Sequence, residues 1–132
     1  MLRVLLVEDN DNFRKMFKMN LSELFPDLEI EEASSSEEAL KKTSGNPPDI
    51  IFMDIRLPTL NGLQLTQKMK RDFPDSLIAI LTGYDLPEYR KRAFQYGADA
   101  FFVKESLKWD EVESLVKSVI FQKEPLSLLK DS

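Results

Sequence analysis

The sequence predicts one α/β domain in which five strands alternate with five helices around a parallel sheet. Two observations carry that expectation. Short apolar runs recur between amphipathic stretches along the whole chain, and most of those runs show no polar alternation. Unbroken runs suit strands covered on both faces, as in a parallel sheet. A chain of 132 residues with 42% hydrophobic content is long enough for one such core.

The unbroken runs occupy residues 4–7, 50–53, 77–81 and 100–103, dominated by β-branched, aromatic and aliphatic side chains. After the first run, Phe13, Met16, Phe17, Leu21 and Leu24 fall on one face at helical spacing and stop before Pro26. Leu28-Glu29-Ile30-Glu31 alternates instead, which suits an edge strand with one wetter face. Ser35-Ser36-Glu37-Glu38 offers capping-box chemistry for a short helix through Leu40 that stops at Gly45. Leu65, Met69 and Phe73 form the next stripe, closed by Pro74. A fourth helix starts at Asp85-Leu86-Pro87-Glu88, with Asp85 as its expected cap, and ends at Gly97. Val112, Leu115, Val116, Val119 and Ile120 make the fifth stripe. Right-handed crossovers then give a doubly wound sheet with the flavodoxin-like order 2-1-3-4-5. That order puts the alternating second strand at an edge, in agreement with its pattern. Residues 1–121 read as one domain, and residues 122–132 as a tail or the start of a linker.

Composition narrows the chemistry. A net charge of -5 argues against nucleic acid as a direct partner of this chain. With no cysteine and no histidine, thiolate nucleophiles, Ser-His triads and His-ligated metals are excluded. Acid-base or metal chemistry must rest on Asp, Glu, Lys, Ser, Thr or Tyr. The first apolar run is broken by Glu8 and Asp9, too early for a signal-peptide core, and no later run would span a bilayer. The expectation is a cytoplasmic protein with no membrane partner.

Four of the five predicted strands end in residues that a packed sheet would not choose. The first delivers Glu8 and Asp9, the third Asp54, the fourth Thr82 and the fifth Lys104. One polar strand end is usually a cap or a solvated loop residue, and Asp9 competes with Asn10 and Asp11 to cap the first helix. Four strands delivering complementary groups to one rim is a different matter. Crowded carboxylates resist full ionisation unless a cation relieves them. Mg2+ does so with oxygen ligands and water. Lys104 adds a metal-free positive charge. Such a site gathers positive charge around Asp54, a carboxylate that can act as the nucleophile in phosphoryl transfer.

At these residues the chain resembles the response-regulator receiver family of two-component signalling. Val4-Leu5-Leu6-Val7-Glu8-Asp9-Asn10 is similar to its first strand and acidic pair. Met53-Asp54-Ile55-Arg56-Leu57-Pro58 with Asn61-Gly62 resembles its phosphoacceptor strand and loop. Leu81-Thr82-Gly83 and Gly97-Ala98-Asp99-Ala100-Phe101-Phe102-Val103-Lys104 are similar to its remaining signatures. The resemblance runs from about residue 2 to residue 120.

It implies that Asp54 is the phosphoacceptor, with Asp9 a direct Mg2+ ligand and Glu8 acting through metal-bound water. The backbone carbonyl of Arg56 would complete the protein ligands. Thr82 would hydrogen-bond the phosphoryl group, Lys104 would pair with it, and Phe101 would be the aromatic switch residue that turns inward with Thr82. The implied partners are a histidine kinase or phosphotransfer protein and an effector domain or downstream protein. A homodimer through the fourth helix, fifth strand and fifth helix is implied as well. Three departures stand out: Glu-Asp for the usual Asp-Asp pair, Phe101 for a frequent Tyr, and Glu105 where many members have a proline that follows a cis peptide. Glu-Asp together with Lys104-Glu105-Ser106 is similar to receivers of LuxR/NarL-type regulators, which implies a DNA-binding transcriptional regulator as the parent.

Away from the acidic pair, Tyr89, Ala93 and Tyr96 give the fourth helix a thin apolar stripe, with Phe94 off it beside Arg90, Lys91 and Arg92. That face is either solvated or a partner surface with Trp109 near its edge. Arg56 and Tyr84, each two residues beyond Asp54 or Thr82, are expected to restrict attacking water and prolong the acyl phosphate. The enzyme alternative is a Mg2+-dependent aspartyl-phosphate phosphatase or phosphotransferase. Haloacid-dehalogenase-type enzymes, however, place a second Asp where this chain has Arg56. A flavodoxin-like binding module would need a glycine- or hydroxyl-rich first loop, where Glu8 and Asp9 stand instead. The reading taken forward is a signalling domain rather than an enzyme.

Overall fold

Side chains on a strand point alternately to opposite faces, so a run apolar at every position needs cover on both sides. The computed structural model, which describes residues 2–123, meets that need with helices on each face. The order is β1 (Arg3–Val7), α1 (Asp11–Leu24), β2 (Glu29–Ala33), α2 (Ser36–Thr43), β3 (Ile50–Met53), α3 (Gly62–Asp72), β4 (Leu77–Thr82), α4 (Pro87–Gln95), β5 (Ala100–Val103) and α5 (Trp109–Lys123). A 3-10 turn, Lys104–Ser106, precedes α5. All pairings are parallel, in the order β2-β1-β3-β4-β5. Helix α5 runs to Lys123, past the boundary expected at 121; residues 124–132 of the expected tail lie outside the described residues. No helix among the described residues is long and apolar enough to cross a membrane.

Alternation along the strands feeds two cores. Leu5, Val7, Ile51, Met53, Ile78 and Ile80 pack with α2, α3 and α4. Val4, Leu6, Ile50, Phe52, Ala79 and Leu81 pack with α1 and α5 through Phe17, Leu21, Val112, Val116 and Val119. Phe17 is the hinge of this second core, its ring 4.9 Å from Phe52 and 4.8 Å from Trp109. Trp109, partly buried, packs against α1, which favours packing over a partner-surface role for its ring. Phe94 is 46% exposed, as its position off the stripe predicts.

Edge strand β2 carries acidic residues, and basic groups from its neighbours hold them. Arg3 reaches Glu31 at 2.8 Å, while Arg14 and Lys18 of α1 both reach Glu32 at 3.2 Å. Burial would raise the Glu32 carboxyl, but Lys18 and Arg14 outweigh it and hold it below the usual range.

Helix starts show which capping expectations survive. Asn10, not Asp9 or Asp11, caps α1 by accepting from the Phe13 N–H at 3.0 Å, which leaves Asp9 free at the rim. Ser35 caps α2 from the Glu38 N–H at 3.1 Å; Glu38 returns its bond to Ser34, one residue earlier than a capping box requires. Asp85 does not cap α4. Leu86 stands at that position with no side-chain bond, because Pro87 opens the helix with its φ already set and no N–H to satisfy.

Between β3 and α3 the chain doubles back tightly. The Gly62 N–H donates to the Ile55 carbonyl at 2.7 Å. A Cβ at Gly62 would lie 1.9 Å from the Asp54 carbonyl oxygen, so only hydrogen fits there.

Phe17→Ala should cost about 3–5 kcal/mol, read by urea unfolding followed through Trp109 emission; a loss below about 1 kcal/mol would show that the ring is not the hinge of that core. Gly62→Ala should lower stability and shift backbone amide resonances most strongly at Asp54 and Ile55. A spectrum unchanged at those two amides would contradict the close approach.

Candidate functional site

Parallel strands all end at the same edge, so whatever follows each strand is delivered to one rim. Val7 pairs with Met53 and Thr82 with Val103, which sets Glu8 beside Asp54 and Lys104 just beyond. The ladder continues one residue past the strands. The Asp54 N–H donates to the Val7 carbonyl at 3.0 Å, and the Glu8 N–H to the Ala33 carbonyl at 2.9 Å. These bonds fix the backbone from which both carboxylates project.

Oxygens of Glu8, Asp9 and Asp54 lie within 4.8 Å of one another. Glu8 and Asp54 are only 1% and 6% exposed, while Asp9 stands at the open side. The Lys104 ammonium forms ion pairs with Glu8 and, at 3.3 Å, with Asp54. Its other side faces the Phe13 ring, 4.5 Å from the centroid. The second Glu8 oxygen accepts from the Asn10 N–H at 3.1 Å, and Arg14 donates to the Glu8 backbone carbonyl at 2.7 Å. Phe13 and Asn10 thus belong to the site, although their sequence signals read only as a core stripe and a cap.

Electrostatics follow from that crowding. Burial, with nearby Asp54, pushes the Glu8 carboxyl up against the pull of Lys104 and Asn10. Partial desolvation and the neighbouring Glu8 push Asp9 up as well. Burial works against the Lys104 charge, but Glu8 and Asp54 outweigh it and raise its pKa. Three oxygen donors at this spacing, two of them destabilised as anions, fit a hard divalent cation that keeps part of its water shell.

Thr82 is fully buried at the end of β4, where its hydroxyl accepts from the Tyr84 N–H at 3.3 Å. The Arg56 guanidinium lies 4.2 Å from the Tyr84 ring centroid, and Tyr84 meets Tyr89 edge-on at 6.2 Å. Arg56, Tyr84, Tyr89 and Arg92 line a cavity of about 570 Å³ that Asp9 also borders. Phe101, 8% exposed on β5, sits under the Arg90 guanidinium at 4.7 Å. The Lys104-Glu105 peptide is trans. Glu8, Asp9, Asp54 and Lys104 therefore meet directly, whereas Thr82, Arg56 and Phe101 surround them on adjacent elements.

A carboxyl whose pKa is raised on folding holds its proton more tightly folded than unfolded, so its contribution favours the fold at low pH. That contribution is lost as pH climbs from the ordinary carboxylate range through the raised values of Glu8 and Asp9. A divalent cation should restore it. Added Mg2+ is expected to raise the melting temperature more near about pH 7 than near about pH 4; an equal rise at both would contradict relief of carboxylate crowding.

A family model for the response regulator receiver domain matches residues 4–117. Response regulator GacA of Pseudomonas viridiflava is 33% identical over 104 residues, covering 79% of this chain and 49% of the relative. The DNA-binding transcriptional activator DevR/DosR of Mycobacterium tuberculosis is 33% identical over 120 residues, covering 90% of this chain and 54% of the relative. Among solved structures, response regulator protein TrrA from Thermotoga maritima, in complex with Mg(2+)-BeF, superposes with a TM-score of 0.78 at 34% identity, covering 90% of this chain and 99% of that one. The chain spans about half the length of the two regulators it matches. On that match, with the fold in agreement, the chain belongs to the response regulator receiver domain family.

Proposed function

We propose that this chain is a phosphorylation switch in which Asp54 accepts a phosphoryl group from a histidine kinase or phosphotransfer protein. The observation that carries this reading is the buried Asp54 carboxylate held between a clustered acidic pair and the Lys104 ammonium. Glu8, Asp9, Asp54 and the Arg56 backbone carbonyl would hold Mg2+, with Glu8 acting through water. Bound there, the ion would neutralise the acceptor carboxylate and the incoming phosphoryl oxygens.

An Asp54 oxygen attacks phosphorus in line with the P–N bond of the donor phosphohistidine. The new O–P bond forms as that bond breaks and the imidazole departs. Lys104, already paired with Asp54, transfers its contact to a phosphoryl oxygen. Thr82 exchanges its bond from the Tyr84 N–H for one donated to another phosphoryl oxygen. Phe101 is already packed inward at 8% exposure, so that movement would hold it there beneath Arg90 and the aromatic would report the modification by packing alone. The two states differ at the α4-β5-α5 face, where an effector domain or downstream protein reads them or a second copy pairs. A DNA-binding transcriptional regulator would fit as the parent, as the description of DevR/DosR suggests, and the site of action would be the cytoplasm. The Arg56–Tyr84 stack screens the acyl phosphate from water and lengthens its life.

Incubation with Mg2+ and a small acyl-phosphate donor should add one phosphoryl group, measured by intact mass, and EDTA or Asp54→Ala should abolish it. An undiminished adduct in Asp54→Ala would sink the assignment. Arg56→Ala and Tyr84→Ala should each speed loss of the adduct several-fold, and unchanged decay in both would refute the screening role.

A further inference from the structure

We propose that Ser36, at the start of α2, is a positioning residue for the aspartyl site, acting by clamping the turn at residues 58–60. This inference rests on the phosphoacceptor reading of Asp54 and deepens it. Ser36 is 1% exposed, and its hydroxyl makes two bonds to a segment more than twenty residues away in sequence. It donates to the Pro58 carbonyl at 3.0 Å and accepts from the Leu60 N–H at 3.1 Å. The same two backbone groups bond to each other across Thr59, from the Leu60 N–H to the Pro58 carbonyl at 3.0 Å. One hydroxyl thus ties both ends of a three-residue turn to a helix end.

That turn needs holding. Thr59 has φ of 73°, and it is the only non-glycine residue with positive φ among the described residues. A β-branched side chain is strained there, and a bent i to i+2 bond is a weak restraint. Water could solvate the Pro58 carbonyl in place of Ser36, since Pro58 is itself exposed, but water is not fastened to α2.

The strain lies where position matters. The loop that contains the turn leaves Asp54 and returns at Gly62, whose N–H closes it onto Ile55 at 2.7 Å. Arg56 and Leu57 lie between that closure and the clamped Pro58. Pinning both flanks fixes the Arg56 carbonyl offered to the metal and the guanidinium stacked on Tyr84. Leu57 and Pro58 also form one wall of the cavity beside Asp9. The clamp therefore preorganises a backbone ligand that no side chain of the acidic cluster holds.

The test compares wild type, Ser36→Ala and the double variant Ser36→Ala/Thr59→Gly. Mg2+ affinity is measured by calorimetry with the metal alone, phosphoryl uptake by intact mass, and melting temperature alongside. Ser36→Ala should weaken Mg2+ binding and slow uptake by roughly tenfold, the low end for loss of a supporting bond around a metal site. Glycine takes φ of this sign without strain, so the double variant should recover both to within about twofold. If Ser36→Ala changes only the melting temperature, its role is structural and the inference falls. It falls equally if glycine at 59 fails to rescue. Wild type that takes up no phosphoryl group would overturn the Asp54 reading itself, whereas normal wild-type uptake matched by Ser36→Ala would overturn only the clamp.

Discussion

One ammonium, that of Lys104, keeps two buried carboxylates in a place that burial and mutual repulsion both oppose. Glu8 and Asp54 are nearly sealed from solvent, and Lys104 touches both. Taking away one partner of such a buried group typically costs about 3–5 kcal/mol, since the remaining charge is left without compensation. The balance is incomplete: one ammonium faces three clustered carboxyls, two of them buried and the third, Asp9, at the mouth. What remains is a demand for positive charge at the open side. On the proposed reading a divalent ion would answer it, and Lys104 would then be available to an incoming phosphoryl oxygen.

The rest of the architecture serves this imbalance. A parallel sheet brings every strand to the same edge, and its ladder extends one residue past β1 and β3 to hold the backbones of Glu8 and Asp54. Two apolar cores secure the sheet, one of them through the Phe17 contacts to Phe52 and Trp109. Around the rim the chain accepts local costs that a plain sheet would avoid. Gly62 approaches the Asp54 carbonyl where no side chain fits, and Thr59 occupies a backbone region that threonine disfavours. Strain of this kind persists where surrounding contacts over-determine it, and it gathers at sites whose geometry must be exact in the unbound state.

Legibility in the sequence differed by the physics behind each feature. Strands read well because apolar runs without alternation have few other uses in a chain this charged, and β3 and β5 begin and end where their patterns do. Rim residues read well for a related reason: each breaks an apolar run at its carboxyl end. Competition between neighbours was harder. Asp9, Asn10 and Asp11 can all cap α1, and only the path of the chain assigns the bond to Asn10. Asp85 looked like a cap, but the helix starts one residue later, with Leu86 at the cap position and Pro87 opening the first turn. Trp109 was left open between partner and core, and Phe13 read only as core, because an aromatic at helical spacing does not reveal whether it meets a core, a partner or a cation. Their environments decide between these uses.

By itself the sequence determined the alternation of elements, the parallel order and the four chain positions that deliver polar groups to one rim. Those properties follow from local periodicity and from handedness rules that hold for any chain with this pattern. Tertiary structure alone decided which of those groups touch. Lys104 lies fifty residues from Asp54 yet pairs with it, Phe13 backs that lysine, and Ser36 fastens the loop that follows Asp54. Such contacts depend on side-chain direction and on distances across strands and loops, which no linear spacing records. The aspartyl site was visible as an inventory in the sequence; its charge balance exists only in the fold.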